Sequence, residues 1–393
     1  MGKSPTHVLV VDDEEDLELL VRQKFRRRIR EGDLKFLFAH NGKEALEVLD
    51  ENPEVYLVLS DINMPVMDGL TMLGQLADSE QDVQAVIVSA YGDMKNIRTA
   101  MNRGAFDFLT KPIDFNDLEA TIEKGIKHVQ ALQIALDTRD RLVAVKQELE
   151  MAREVQMSLQ PKELPANDNY DVKAAIISAK EVGGDLYDFF FIDESRLGLV
   201  IADVSGKGVP AALFTTVTRA LLRAAVSRDY STPSDCLMLV NNLLCESNTS
   251  CIFITLFFGV LDLRTGELSY SNAGHNPPRV LTTDSKVEVV PKTNNLVLGI
   301  QPGHAYHNKQ VQLMPGDTLF LYTDGITEAE DSKSEEFTES RLDEKLAGLA
   351  NTSSERVATE IVDAVQEFVG DAPQSDDITC MAARFLAPLT VSS

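Results

Sequence analysis

Aspartates at the ends of apolar runs are the residues of this sequence best suited to chemistry. Asp12 and Asp13 directly follow the run HVLVV, and Asp61 follows the run VYLVLS. Neighbouring carboxylates repel one another unless a cation neutralises them. Mg²⁺ prefers oxygen ligands and commonly takes one or two carboxylates together with phosphate oxygens. This first acidic group therefore predicts a magnesium site that handles a phosphoryl group.

Two later residues extend that prediction. Ser89 and Lys111 each follow a further apolar run. A lysine ammonium is a point charge that suits a phosphoryl group, and a carboxylate such as Asp61 can act as a nucleophile that forms an acyl phosphate. The alternative is that each residue is an ordinary solvated strand end. The coincidence of all these residues at strand ends favours the site.

A second acidic group lies in the C-terminal half, where aspartates stand in tight turns. The turns are Gly183–Gly184–Asp185, Ala202–Asp203–Val204, Thr323–Asp324–Gly325 and Ser375–Asp376–Asp377. They contain no histidine or cysteine ligand, so the pattern favours Mg²⁺ or Mn²⁺ over zinc. Two such ions about 3.5–4 Å apart activate a bridging water and polarise a phosphate. Because Asp–Gly is also ordinary turn chemistry, spacing alone leaves the two interpretations even.

The elements that carry the first group alternate between apolar strands and helical patterns. Such alternation predicts an α/β doubly wound, five-stranded parallel sheet whose ligand site lies at the carboxyl ends of the strands. The predicted strands are His7–Val11, Phe36–Ala39, Val55–Leu59, Val83–Val88 and Phe106–Leu109. The fold therefore explains why the polar residues that follow these strands converge.

The C-terminal half predicts an α+β sandwich of two packed sheets flanked by helices. The predicted strands are Val172–Ala179, Leu186–Ile192, Leu197–Ile201, Phe253–Asp262, Glu267–Ser271, Arg279–Leu281, Lys309–Leu313, Thr318–Tyr322 and Ile378–Ala383. The predicted helices are Val209–Val226, Pro233–Glu246, Arg341–Leu349 and Ser354–Phe368. The charged stretch 329–340 predicts an exposed loop.

Residues 114–160, between the two halves, predict one long helix with a single apolar seam. Its apolar side chains recur mostly at steps of three and four, from Leu118 and Ile122 to Leu159. A parallel coiled-coil dimer would bury such a seam, and the alternative is a single helix packed on its own domains. Gly125 and the spacing around Arg139 interrupt the seam. We interpret the segment as a signalling linker.

The composition limits the classes of function. The chain of 393 residues is 44% hydrophobic and carries 62 acidic against 37 basic residues, for a net charge of −25. Nucleic-acid binders usually present a basic face, so direct contact with nucleic acid is not expected. No run approaches the length of a membrane span. We expect a cytoplasmic bacterial protein.

The motifs VVDDEED, LSDINMPVMDG, IVSAYGD and FDFLTKP resemble the CheY-like receiver domain of two-component response regulators. The resemblance implies that Asp61 accepts a phosphoryl group from a sensor histidine kinase and that Lys111 contacts it. It implies that Ser89 and Phe108 form a switch pair, although Phe108 could equally be a strand-five core residue by its pattern. The implied Mg²⁺ ligands are Asp12, Asp13, Asp61 and the carbonyl of Asn63.

The motifs AREVQMSLQP, EVGGDLYDFF, IADVSGKGVPAAL, SNAGHNPP, LYTDGITEA and SDDIT resemble the metal-dependent PPM-type serine/threonine phosphatases of the bacterial SpoIIE and RsbU branch. The implied catalytic ligands of two Mn²⁺ or Mg²⁺ ions are Asp185, Asp203, the carbonyl of Val204, Asp324 and Asp376. Asp203 would bridge both ions, and Asp377 would support the ligands. Asn272, Gly274 and His275 lie in a motif that we interpret as structural.

These resemblances predict a receiver domain at 1–127, a coiled-coil linker at 114–160, a phosphatase domain at 161–388 and a tail at 389–393. The implied function is dephosphorylation of a STAS-domain anti-sigma-factor antagonist by a homodimer, under control of Asp61 phosphorylation. Either sign of control is compatible with such a linker. The alternative is a non-catalytic adaptor that binds a sigma factor or its antagonist, and the complete set of aspartates favours the enzyme.

Overall fold

The computed structural model describes residues 5–79, 83–90, 92–161, 164, 167–227, 232–249 and 251–389. The chain divides into two compact units, Met1–Ala144 and Val145–Ser393, which we call the N-terminal unit and the C-terminal unit. Of the predicted tail at 389–393, only Leu389 lies within the described residues.

The N-terminal unit contains a five-stranded parallel sheet in the order β2-β1-β3-β4-β5. Its strands are β1 (Thr6–Val11), β2 (Leu34–Ala39), β3 (Val55–Asp61), β4 (Gln84–Ala90) and β5 (Asp107–Lys111). Its helices are α1 (Glu15–Lys24), α2 (Arg26–Arg30), α3 (Gly42–Glu51), α4 (Gly69–Ala77) and α5 (Met94–Asn102). Strand β1 is apolar from Val8 to Val11, and these residues enter core clusters on both faces of the sheet. The predicted doubly wound sheet is confirmed.

Helix α6 (Phe115–Ser158) is continuous, as predicted for the linker. Its buried residues are Leu118, Ile122, Gly125, Ile126 and Val129. Gly125 is required by a close approach to β3, because a Cβ there would lie 2.8 Å from Leu57 Cδ1. Over 118–129, where the predicted linker overlaps the last helix of the predicted receiver domain, the seam residues Leu118 and Ile122 pack in the core of the N-terminal unit. Later apolar side chains such as Leu136, Leu142 and Val145 are exposed.

The C-terminal unit is a sandwich of two five-stranded antiparallel sheets. Sheet one has the order β13-β10-β9-β8-β7 and sheet two the order β12-β11-β14-β15-β6. The strands are β6 (Tyr170–Ile177), β7 (Leu186–Phe191), β8 (Arg196–Val204), β9 (Ile254–Asp262), β10 (Glu267–Ala273), β11 (Arg279–Leu281), β12 (Val287–Val289), β13 (Lys309–Gln312), β14 (Thr318–Tyr322) and β15 (Ile378–Phe385). Alternate apolar residues of both sheets share one buried core between them.

Helices cover the outer faces of the sandwich. They are α7 (Val209–Val226) and α8 (Pro233–Ser247) on sheet one, and α9 (Asp324–Thr327), α10 (Thr338–Ala347) and α11 (Ser354–Val369) on sheet two. The predicted two-sheet architecture is confirmed. The sequence patterns missed only the short β12 and α9 among the described elements of this unit.

The stretch 329–340 is largely exposed, as predicted, but two of its apolar residues are buried and its last three residues begin α10. Ala329 and Phe337 are buried in the core that covers sheet two, and Glu330 forms a β-bridge with Glu336. The charged composition of the stretch did not indicate that Ala329 and Phe337 would be buried. The segment is therefore a turn fixed at both ends by the core.

Among the described residues, one helix, α7, is long and apolar enough to span a membrane by length and composition alone. Its side chains Ala211, Leu222 and Ala225 are buried in the C-terminal unit. Arg223 Nε donates to Asp188 on β7 at 2.7 Å, and that carboxylate is buried. Through these contacts one face of α7 packs against sheet one of the sandwich.

Candidate functional site

The predicted magnesium site lies at the carboxyl edge of the N-terminal sheet. Carboxylate oxygens of Asp12, Asp13 and Asp61 all lie within 4.8 Å of one another. Asp12 and Asp61 are buried, whereas Asp13 is exposed. Lys111 Nζ lies 3.4 Å from Asp12 Oδ2 and 2.5 Å from Asp61 Oδ2. The structure thus brings together four residues at the carboxyl ends of β1, β3 and β5.

The charge balance of this centre fits a divalent cation. Burial raises the pKa of the Asp12 carboxyl and the charge of Asp61 adds to the rise, while the Glu14 N–H and Lys111 oppose it. A cation bound among three carboxylates would relieve the same repulsion, and this oxygen donor set suits Mg²⁺. The Asn63 N–H donates to Asp61 Oδ1 at 3.4 Å, so the predicted carbonyl ligand belongs to a residue beside the site.

The predicted switch residues lie on the two strands nearest one edge of the sheet. Ser89 is fully buried near the end of β4, and its hydroxyl has no hydrogen-bond partner among the described residues. Phe108 on β5 is 38% exposed, so its alternative interpretation as a core residue is wrong. The unpartnered Ser89 hydroxyl could form a hydrogen bond with a phosphoryl oxygen. The exposed Phe108 ring could change its rotamer without disturbing the core.

The predicted metal-binding aspartates of the C-terminal unit come from both sheets. Asp185 directly precedes β7 and Asp203 lies near the end of β8, so both belong to sheet one. Asp324 begins α9 two residues after the end of β14, and Asp376 lies two residues before β15, so both adjoin sheet two. Asp203 and Asp185 are close enough to influence one another's pKa, and the charges of Asp324 and Asp376 repel that of Asp203. The structure therefore brings all four carboxyls into one centre.

The protonation behaviour of these carboxyls fits a cation site. Burial raises the pKa of Asp203 to about 7, and the charges of Asp324 and Asp376 add to the rise. Burial and then the charge of Asp203 raise the pKa of Asp185 well above its ordinary range. The pKa of Asp324 is raised by burial and by Asp376. Divalent cations would offset this repulsion, and the carboxylate donors suit Mn²⁺ or Mg²⁺.

Asp377 supports the ligand turns through its side chain. Its Oδ1 accepts the Ala179 N–H at 2.7 Å, and its Oδ2 accepts the N–H groups of Gly184 at 2.6 Å and Asp185 at 3.4 Å. On the other side, the Thr323 hydroxyl donates to Asp185 Oδ2 at 2.8 Å. The Asp185 turn is therefore held by residues that belong to sheet two.

Two further groups face the same centre. The Val204 carbonyl oxygen lies 3.5 Å from where a Cβ on Gly184 would stand, so this predicted ligand faces the Asp185 turn. Lys207 Nζ lies 2.9 Å from Asp376 Oδ2 and donates to the Ser375 carbonyl at 2.6 Å. The lysine thus partly neutralises the acidic edge of the centre.

The ring of His275, in the motif that we interpreted as structural, contacts one residue of each sheet. Its ring is buried, with Nδ1 2.9 Å from the Thr255 hydroxyl and Nε2 3.1 Å from the Tyr322 carbonyl. Burial lowers the pKa of the ring to about 4. Sequence reasoning missed Thr255 and Thr323. Thr323 adjoins the predicted ligand Asp324, a signal that could have found it, whereas Thr255 has no such signal.

The last turns of α6 contact the Asp185 turn within the C-terminal unit. Gln156 Nε2 donates to the Gly183 carbonyl at 2.8 Å, and its Oε1 accepts the Gly183 N–H at 3.2 Å. The Tyr187 hydroxyl donates to Gln160 Oε1 at 2.8 Å. Both glutamines lie in the motif AREVQMSLQP, but only the structure assigns them these partners.

Comparison with known proteins identifies both units. Residues 8–123 match the response regulator receiver domain, and residues 193–386 match the family described as stage II sporulation protein E, SpoIIE. The chain joins a receiver domain to a SpoIIE-type domain. The SiaA-PP2C domain of Pseudomonas aeruginosa shares the fold, with a TM-score of 0.56 and 22% identity over 62% of this chain and 98% of that one.

Two curated relatives resemble longer parts of the sequence. Protein IcfG of Synechocystis sp. is 33% identical over 267 residues, which cover 60% of this chain and 41% of IcfG. Phosphoserine phosphatase RsbU of Bacillus subtilis is 29% identical over 214 residues, which cover 54% of this chain and 63% of RsbU. The chain therefore spans less than two thirds of the length of either relative.

Proposed function

We propose that this receiver–SpoIIE chain hydrolyses a phosphoprotein with the help of divalent cations. The observation that carries the proposal is the meeting of Asp185, Asp203, Asp324 and Asp376 in one centre, where burial and mutual repulsion raise the Asp203 pKa. When bound there, two Mn²⁺ or Mg²⁺ ions supply an activated water and polarise a phosphate ester. The carboxylates and the Val204 carbonyl hold the ions.

The proposed substrate is a phosphoserine or phosphothreonine on a STAS-domain anti-sigma-factor antagonist, in a partner-switching pathway. The relationship to RsbU, a phosphoserine phosphatase, supports this class of substrate. A cavity of about 250 Å³ opens beside Asp376 and is lined by Gly325 and Gln366. Its position next to the acidic centre gives substrate residues that flank the phosphoryl group a place to bind.

The proposed input is a sensor histidine kinase that phosphorylates Asp61 with Mg²⁺ bound beside it. The linker would pair with that of a second copy, because apolar residues such as Leu136 and Leu142 are exposed along α6 and a coiled coil would bury them. A change in this pairing would alter the acidic centre through Gln156, whose side-chain amide forms two hydrogen bonds with the Gly183 backbone.

The test of catalysis is hydrolysis of p-nitrophenyl phosphate by the full chain after chelation, with Mn²⁺ or Mg²⁺ restored. We expect metal-dependent turnover by the wild type and none by Asp203→Ala. Asp193→Ala is the matched control, because this aspartate pairs with Arg196 at the surface and should leave turnover unchanged. Absence of turnover by the wild type with either metal, in the presence of beryllofluoride, would refute the enzyme.

The adaptor alternative is tested in cells with Asp324→Asn. An enzyme loses its cellular effect when a metal-binding carboxylate is replaced, whereas an adaptor keeps it because the fold and the surface are unchanged. Protein levels of the variant and the wild type must match. A variant that retains the full phenotype would therefore favour the adaptor.

A further inference from the structure

The acidic centre of the C-terminal unit depends on how its two sheets are held at one end of the sandwich. Asp203 belongs to sheet one and Asp324 follows a strand of sheet two. Hydrogen-bonded ladders run within each sheet, so the spacing between the sheets rests on side-chain contacts. A change in that spacing of a few tenths of an ångström would alter the fit of the carboxylates around a cation.

The His275 ring joins the two sheets next to these aspartates. Thr255, whose hydroxyl is 2.9 Å from Nδ1, is the register partner of Asp203 across β8 and β9. The Tyr322 carbonyl, 3.1 Å from Nε2, lies two residues before Asp324. One ring therefore connects a residue beside one ligand to a residue just before another.

The hydrogen-bond chemistry assigns the direction of each contact. A carbonyl oxygen can only accept, so Nε2 carries the proton and donates to Tyr322. Nδ1 is then the acceptor, and the Thr255 hydroxyl donates to it. The neutral imidazole satisfies both partners at opposite ends of a rigid ring.

The backbone around His275 is itself fixed. Asn272 Oδ1 accepts the His275 N–H at 2.8 Å, and Asn272 Nδ2 donates to the His275 carbonyl at 3.0 Å. Gly274 between them has φ of 72°, a conformation that L side chains rarely adopt. The motif SNAGH thus builds a tight turn that presents the ring to both sheets.

We propose that His275 is a positioning residue that sets the distance between the Asp203 and Asp324 turns, and thereby the affinity of the acidic centre for divalent cations. The inference rests on the proposed function only in treating this centre as a cation site. Both ring nitrogens are engaged by protein partners, Nδ1 by the Thr255 hydroxyl and Nε2 by the Tyr322 carbonyl. The ring acts through Thr255 and Tyr322.

The test is isothermal titration of the chelator-stripped full chain with Mn²⁺. Binding that remains in Asp203→Ala belongs to the receiver centre and is subtracted. We expect roughly 10–100-fold weaker binding in His275→Phe and Thr255→Val, the range found when partners of metal ligands are removed. Thr255→Ser keeps the hydroxyl and should bind like the wild type. Turnover should approach the wild-type kcat at saturating Mn²⁺ while the apparent KM for the metal rises.

Ser271→Ala is the structural control, because this buried hydroxyl on β10 donates to the His307 carbonyl and touches neither ligand turn. Melting temperatures in chelator establish that each variant folds. If His275→Phe does not fold, the pair Thr255→Val and Thr255→Ser decides. Unchanged Mn²⁺ affinity in Thr255→Val, or an equal loss in Ser271→Ala, overturns the inference. Calorimetry gives this answer even if the wild type hydrolyses no phosphate ester.

Discussion

The two acidic centres of this chain differ in how their neighbouring carboxylates are arranged and neutralised. In the receiver, three carboxylates come from one parallel sheet, lie within 4.8 Å of one another, and are countered by Lys111. In the described part of the SpoIIE-type unit, no three such oxygens lie so close, and the aspartates come from two sheets. A wider centre suits a pair of ions about 3.5–4 Å apart.

Fold topology alone can build the acidic centre of the receiver but not the acidic centre of the sandwich. The carboxyl ends of parallel strands meet automatically at one edge of a sheet. In the sandwich, Thr323, Asp377 and His275 must tie residues of one sheet to those of the other. We expect the second centre to depend more strongly on bound cation and on neighbouring hydrogen bonds.

The largest expected effect separates the roles of the two centres. Asp61→Asn removes the acceptor of the phosphoryl group, so hydrolysis should no longer respond to beryllofluoride, whereas the wild type should change its rate. The measurement is turnover of a phosphorylated antagonist with and without beryllofluoride. Asp78→Asn, a substitution at the end of α4 away from the acidic edge, serves as the control. A variant that still responds would place the regulatory site elsewhere.

A second prediction concerns pH in the absence of metal. The pKa of Asp203 is about 7 in the folded chain against 3.8 for an unperturbed aspartate. Its contribution to the free energy of unfolding is therefore fully present below pH about 4 and lost as pH rises through about 7. Asp203→Asn removes this dependence. In chelator, the melting temperature of Asp203→Asn should match that of the wild type near pH 4. At pH 8 it should be several degrees higher than that of the wild type, at roughly 2–4 °C for each kcal/mol of stability. A constant difference across this range would contradict the assignment.

The contact between the linker and the acidic centre allows a third test. Gln156→Ala removes two hydrogen bonds to Gly183, each worth about 1 kcal/mol. We expect roughly a fivefold to thirtyfold loss of activity or of its response to beryllofluoride, since 1–2 kcal/mol corresponds to that range. Gln160→Ala, which loses the contacts with Tyr187 and with the Met157 sulfur but leaves Gly183 untouched, is the matched control. Equal effects of both substitutions would argue against a specific role for Gln156.

The smallest effect is expected in the receiver. Lys111→Ala leaves Asp12 and Asp61 without their ammonium partner, and because this lysine is partly exposed, the loss of stability without Mg²⁺ should be about 1 kcal/mol or less. Mg²⁺ should then stabilise the variant more than the wild type in thermal unfolding. Lys124→Ala, which breaks the exposed pair with Asp107, should respond to Mg²⁺ like the wild type. A wild-type response of Lys111→Ala would mean that its charge does not compete with the cation.

Most of the fold was predictable because its strands are long apolar runs bounded by turns. The site aspartates were predictable because they follow those runs directly. The seam over 118–129 was not, since a helix packed on a sheet and a coiled coil share steps of three and four. Phe108 was ambiguous because β5 is an edge strand with an exposed face. The Thr255–His275 contact depends on the register of β8 and β9 and on sheet packing, which no local pattern encodes.

Helix α6 contains neither glycine nor proline after Gly125. A helix without a break conveys angular phase as well as distance, because each residue turns the chain by about 100°. An insertion of seven residues in the exposed part would restore the original phase to within about 20°, whereas an insertion of five would leave the facing side rotated by about 140°. The activity of variants with longer linkers should therefore vary periodically with the number of inserted residues. Insertions of whole heptads should preserve regulation, whereas insertions of a single residue should disrupt it.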